Sequence, residues 1–367
     1  MSTLPQFVSE DSQAITQELI TAYEAMTGKT LYPAQVERLL IDLMAYRETL
    51  VRAAINDTAR QNLVSFSRAA ILDYLGELVG VTRLAAKYAS TTVRLTFADA
   101  LDTTLTIAAG TRVETAGGIQ FQTESETIVA IGAVTADLSV SAVEAGTSGN
   151  GYLAGQVNAL VDDFGVDVEA VANLSVTSGG ADEESDDRLR ERIKLAPEAY
   201  STAGSVLAYR FHAMSAHQNI VDVAVLSSTP GTVQLYPLTS DGLPSEAIIS
   251  AVDEICSSEK KRPLSDNVDV LQPIESAYTI SARLTVYRSY DSATVLANAQ
   301  AQAASFVATQ SAALGRDVVP SQISAALSVA GVYEVVLLSP SATLPVAENG
   351  WAHCTAIDIQ LAGGNDG

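Results

Sequence analysis

The chain has 367 residues, with 43 Asp and Glu against 21 Lys and Arg, a formal net charge of −22. That excess repels phosphate backbones and argues against free-standing nucleic-acid binding. At 47 % apolar and 17 % charged residues it is not a disordered acidic chain, and at roughly 150 residues per domain its length fits two or three domains.

The first 85 or so residues read as helix. Ile15, Leu19, Tyr23 and Met26 recur every three or four positions, and Gly28 stands where such a helix ends. Pro33 suits the first turn of a second helix. Along that helix Val36, Leu39, Leu40, Leu43, Tyr46 and Leu50 form an apolar stripe, with Glu37, Arg38, Asp42 and Arg47 between them. About 25 residues of helix would span ~38 Å. A third helix runs near 69–79 and stops at Gly80. Apolar stripes of this width need each other or a partner chain.

From about Thr91 the period becomes two. Val93, Leu95 and Phe97 alternate with Thr92, Arg94 and Thr96, as on a half-buried strand. Residues 112–116 and 119–123 flank Gly117-Gly118, which predicts a hairpin with a tight two-residue turn. Further strands are expected near 127–131, 138–144 and 168–176, making residues 90–177 a small antiparallel β domain. The run Asp182-Glu-Glu-Ser-Asp-Asp-Arg-Leu-Arg-Glu-Arg-Ile then starts a helix with its acids in the first turn. Helices near 203–216, 244–258, 293–313 and 320–329 mix with strands near 220–227, 231–237, 277–288, 332–338 and 355–361. The fold class is α+β multidomain: a helical region (1–88), a β domain (89–178) and two small α+β domains (179–274 and 275–367).

The candidate chemical motifs dissolve on inspection. Thr27-Gly-Lys-Thr30 resembles the end of a phosphate-binding loop, but Tyr23 stands where that loop needs glycine, and a helix precedes it instead of a strand. The Gly146–Gly151 stretch lacks the lysine and following helix of a phosphate cradle and reads as a turn. Asp182, Glu183, Glu184, Asp186 and Asp187 lack calcium-loop spacing. With Glu184 four residues before Arg188 and Asp186 four before Arg190, they read as a solvated helix face. His212 and His217 are five apart, off one helix face, and His353 has no partner nearby. Lys260-Lys-Arg262 is the most basic spot and suits a helix carboxyl end. No catalytic, cofactor or metal set survives. Cys256 and Cys354 alone make no disulfide framework and fit a reducing cytoplasm; the start carries no secretory signal and no stretch reads as a membrane span.

Several segments, in order, carry a resemblance. They are Leu72-Asp-Tyr-Leu-Gly-Glu-Leu-Val-Gly-Val-Thr-Arg83, the Gly146–Gly151 turn, and Gly179 through Ile193. Ala203-Gly-Ser-Val-Leu-Ala-Tyr209, Pro230-Gly-Thr-Val, Arg262-Pro-Leu-Ser-Asp-Asn-Val-Asp-Val270 and Gly331-Val complete the series. In that succession, over residues 60–340, the chain resembles the baseplate J-like proteins of contractile-tailed phages and contractile injection systems. It departs in Gly151-Tyr-Leu-Ala-Gly155, where the family often has a proline.

The resemblance implies a structural wedge component of a tail baseplate, in the virion after assembly in the host cytoplasm. Two copies would embrace each other and a smaller wedge protein through their N-terminal helices. The C-terminal domains would join neighbouring wedges into a ring around the tube and spike hub, which opens to trigger sheath contraction. The stripe Val36, Leu40, Leu43, Tyr46 and Leu50 is the expected subunit interface, and packing inside the chain's own helical region is the alternative. A tail-associated hydrolase, needing a carboxylate pair in a cleft, and a receptor-binding tail protein are the competing readings; neither nucleic acid nor membrane is an expected partner.

Overall fold

The computed structural model describes residues 4–162, 165–200, 205–258, 262–263 and 266–366. Its contacts divide the chain into two compact units: residues 1–83 with 185–196, and residues 84–184 with 197–367.

In the first unit, α1 (Ser12–Thr27) is capped by the Asp11 carboxylate, which accepts from Gln13 and Ala14 N–H, and ends at Gly28 with φ +69°. Its Ile20 packs with Leu31 and with Ile41 of α2 (Val36–Gln61). Pro33 lies in the turn before α2, not in its first turn, because the helix begins only after Gln35. The amino-terminal segment runs along α2: buried Asn56 accepts from Phe7 N and Val8 N and donates to Val8 O, while Arg60 donates to Pro5 O.

The unit is completed by α3 (Ala69–Glu77) and α4 (Asp186–Leu195), which pack through Leu72, Leu189 and Ile193, all buried. Gly76 is required there: a Cβ would meet Val81 O at 2.7 Å and the Ile193 side chain at 3.2 Å. The expected solvated face of the acid-rich helix is corrected by this packing. Asp186 accepts from Ala69 N at 2.9 Å and pairs with Arg83 at 2.7 Å. Arg190 donates to Val64 O and Ser67 O, and Arg192 to Thr82 O. Glu184 lies before the helix, 3 % exposed, and accepts from Leu84 N. Asp187 stays exposed and pairs with Arg190 three residues on, but Asp186, Arg190 and Arg192 also take partners a hundred or more residues away in sequence.

The second unit starts with a six-stranded antiparallel sheet. It comprises β1 (Ser90–Phe97), β3 (Arg112–Thr115), β4 (Gln120–Thr123), β6 (Thr135–Ala142), β7 (Val157–Leu160) and β8 (Val168–Asn173), ordered β7-β3-β4-β6-β1-β8; β2 (Leu105–Ile107) pairs with β5 (Thr127–Val129). Alternate residues Val93, Leu95, Phe97, Leu138, Val140 and Phe121 fill the interior. Buried Asn173 draws the two outer strands together: its Oδ1 accepts from Val157 N at 2.9 Å and its backbone oxygen from Gly155 N at 2.9 Å. The sheet is therefore a nearly closed barrel. The 112–123 hairpin turns through three residues, not two, because Thr115 N pairs with Ile119 O and Gly118 takes φ +81°.

Next comes a layer of α5 (Val206–Met214) and α6 (Glu246–Cys256) on a sheet ordered β11-β10-β9, from β9 (Ile220–Thr229), β10 (Thr232–Thr239) and β11 (Asn267–Val270). The last layer sets α7 (Ser292–Ser311) and α8 (Pro320–Leu327) on a sheet ordered β13-β12-β14, from β12 (Ile274–Tyr287), β13 (Val332–Ser339) and β14 (Gly350–Asn365). Its core holds Ile280, Ala282, Leu284, Ala299, Ile323 and Ile359. Trp351 joins the two layers, lying over Gly242 and donating Nε1–H to Ser311 O at 3.1 Å. Asp222 does the same, pairing with Arg210 at 2.7 Å and accepting from Leu314 N. The fold is α+β and multidomain.

Candidate functional site

The most unusual surface lies on α2. One face is turned inward by Ile41, Ala45 and Asn56. The opposite face carries Val36, Leu40, Leu43, Tyr46 and Leu50, each between 46 % and 70 % exposed, with Leu39, Met44, Val51 and Ile55 also exposed. At 100° per residue, Tyr46 and Ile55 mark the edges of an apolar arc of roughly 180°. Arg47 is the charged residue that interrupts its middle. A surface helix in a finished structure buries its apolar stripe and shows water its polar residues; α2 buries one face and shows water a second, wide apolar arc. The sequence located these five side chains but could not say what covers them, and within this chain nothing described does.

The groups that could carry chemistry are dispersed. His212 meets Phe211 edge-on at 5.4 Å, buried His217 accepts from Asn219 N, and His353 stacks on Trp351 at 4.5 Å with Nδ1 2.5 Å from Glu275. Cys256 is buried, and burial pushes the Cys354 thiol up, away from the thiolate a nucleophile needs. Asp99, Asp102 and Asp167 line an open cleft of about 450 Å³ at one end of the barrel. Among the described residues no three His, Cys, Asp or Glu side chains converge to hold a metal ion, and no helix is long and apolar enough to cross a membrane. The Gly146–Gly151 turn is structural. Its Thr147 N and Oγ1 bond Asp182, and Asn150 exchanges hydrogen bonds with Gly180. Of the basic spot near the end of α6, Lys260 and Lys261 lie outside the described residues.

Four family models match in succession. They are the baseplate J-like N-terminal domain at residues 37–90, the barrel domain at 92–180, the central domain at 201–272 and the C-terminal domain at 278–360. The chain belongs to the baseplate J-like family. Baseplate protein J of Escherichia phage P2 is 35 % identical over 185 residues, a stretch covering 50 % of this chain and 61 % of that protein. Among solved structures, a chain of the six-fold symmetrised baseplate of the anti-feeding prophage matches over 95 % of this chain and 90 % of its own, at 15 % identity and a TM-score of 0.45. In this family member the N-terminal model begins one residue into α2, so the exposed arc, Val36 apart, falls inside the matched region.

Proposed function

We propose that the chain is a structural wedge protein of a contractile-tail baseplate, not an enzyme, resident in the virion after assembly in the host cytoplasm. The observation that carries this reading is the arc on α2. A surface helix faces its own core through an apolar stripe of about 100° or more, so a further exposed apolar arc of roughly 180° has room for two neighbouring helices. Two copies of this chain and one smaller wedge protein, bundled through their N-terminal helices, supply that number. In the same reading the domains are residues 1–88, 89–178, 179–274 and 275–367, with the stretch 185–196 of the third packed in the first unit. The C-terminal ones link neighbouring wedges into a ring around the tube and spike hub. When that ring opens, the helix bundle persists while contacts of the β and α+β domains change. Crosslinking the helices to a partner then leaves contraction intact, and loss of contraction would overturn this part.

The decisive experiment is native mass after co-expression with the proteins encoded beside this one. A complex of two copies with one smaller subunit is expected, and Leu40→Glu with Leu43→Glu should dissolve it. A monomer that ignores its neighbours would remove the wedge reading.

A further inference from the structure

A second surface lacks a partner among the described residues, and here the partner can be read from the surface itself. Strand β14 is held along its whole length by β12 and stands at the edge of its sheet. At its start the outer side is covered, since Gly350 O accepts from Gly315 N at 2.9 Å. The register against β12 skips Thr355 and again skips Ala362, two bulges that leave Ala356–Leu361 as a regular six-residue edge between them. Exposed edges are normally guarded by Lys, Pro or inward charges. From Gly350 to Asn365 there is no Lys, Arg or Pro, and Asp358 is the sole acid.

The direction of the backbone groups follows from the bonds at each end. Asn349 O and Asn365 O turn toward β12, accepting from Ile274 N and Arg288 N, whereas Gly350 O turns away. Along a strand, residues on one face turn their amides to the same side. Ala352 shares a face with Ile357, Ile359 and Leu361, because their β12 partners are Ser276, Ile280, Ala282 and Leu284. The N–H and C=O groups of Ile357, Ile359 and Leu361 therefore point to the open edge.

We propose that this edge pairs antiparallel with β14 of a second copy of the chain, Ile359 opposite Ile359. In that register all three outward-facing residues meet outward-facing residues: Ile359 with itself and Ile357 with Leu361, each pair exchanging both hydrogen bonds. Ile357 and Leu361, 39 % and 40 % exposed now, cover one another across the junction. On the other face Asp358 stands opposite Gln360, an acid against an amide. The pairing repeats between chains the contact made within one, where Gln360 Nε2 donates to Asp358 at 3.0 Å. Parallel addition would instead set Asp358 beside Asp358, like charges in contact. The edge is thus complementary to itself in one register, and the product is a six-stranded sheet across a two-fold axis. A contact this small holds weakly in solution and gains strength when many copies are tethered in one assembly. It rests on the wedge reading only in taking the second copy from a neighbouring wedge; the pairing is read from β14 alone.

The full-length chain is tested by sedimentation equilibrium up to ~100 µM, where a contact of micromolar affinity is populated. A monomer–dimer equilibrium is expected, with Leu361→Lys weakening it by about tenfold or more. In a Cys354→Ser background, mixing Asp358→Cys with Gln360→Cys chains should give a disulfide-linked pair on oxidation, and neither chain alone should do so efficiently. A chain that stays monomeric, or a dimer indifferent to Leu361→Lys and not trapped by the mixed cysteines, would overturn the pairing. Neither result bears on the α2 bundle, which the co-expression experiment tests separately.

Discussion

Single side chains hold the joints of this protein, and the two most exposed to test are Asp186 and Asn173. Ala69 adopts a left-handed φ of +48°, a strained setting for a residue with a Cβ. Its N–H is held by Asp186, which also pairs with Arg83. The Ala69 N–H first, and Arg83 after it, hold the Asp186 carboxyl below the usual carboxylate range, against the opposing effect of burial. A depressed folded value means stability that is full above the unfolded value of about 4 and lost as pH falls through the folded one. Asp186→Asn should therefore lower folding stability by about 0.5–1 kcal/mol at pH 7, the pair being partly screened by solvent. The gap from wild type should close on acidification below the folded value, and denaturant titrations at neutral and acid pH measure both. Asn173 is the larger case. Its Oδ1 takes the Val157 N–H and its Nδ2 donates to Leu153 O and Ser175 O, all beside the barrel's junction. Asn173→Ala leaves a buried N–H unpaired and should cost about 3 kcal/mol by the same titration.

At the scale of the element, one helix separates stability from assembly. The inward face of α2 is ordinary core, so Ile41→Ala should cost about 2–4 kcal/mol of folding stability. The outward face is not, so Leu40→Glu with Leu43→Glu should leave chemical unfolding within about 0.5 kcal/mol of wild type while abolishing capture of the wedge partners. An equal loss of stability from both would show the arc to be packed inside the chain. The stripe itself was legible in the sequence because a period of 3.6 survives any environment. Its exposure was not, because periodicity says which residues share a face but not what lies against it. Strands are legible where alternation runs long, as in Val93–Phe97 and its flanks, or where glycines bracket short ones, as at Arg112–Thr115 and Gln120–Thr123. They are not legible at Leu105–Ile107, Val157–Leu160 and Asn267–Val270, where three or four residues carry no period and no hairpin glycines frame them. Strand β14 is half legible: a strand is expected near 355–361, but its full run of Gly350–Asn365 depends on β12 lying beside it.

The whole molecule is partitioned against its own chain order, since residues 185–196 belong with the first 83. From the sequence the acids at 182–187 read as a solvated helix face, because Glu184 with Arg188 and Asp186 with Arg190 stand four apart. The structure instead uses Leu189 and Ile193 to bury α4 on α3, and the arginines to bond backbone oxygens in residues 64–82. Residues drawn from two distant parts of the chain must then come together before α3 has a core, a pairing whose loop entropy grows slowly with the length of the intervening barrel. Local stability should follow this partition. Leu189→Ala opens a cavity under α3 and removes about 2–4 kcal/mol from that unit. By native-state hydrogen exchange, the amides of Leu72–Glu77 should lose about 30-fold or more of their protection, while those of Ile280–Leu284 in β12 keep theirs. Equal loss in both segments would mean that the two units unfold as one, and that α4 is a link in a single cooperative body.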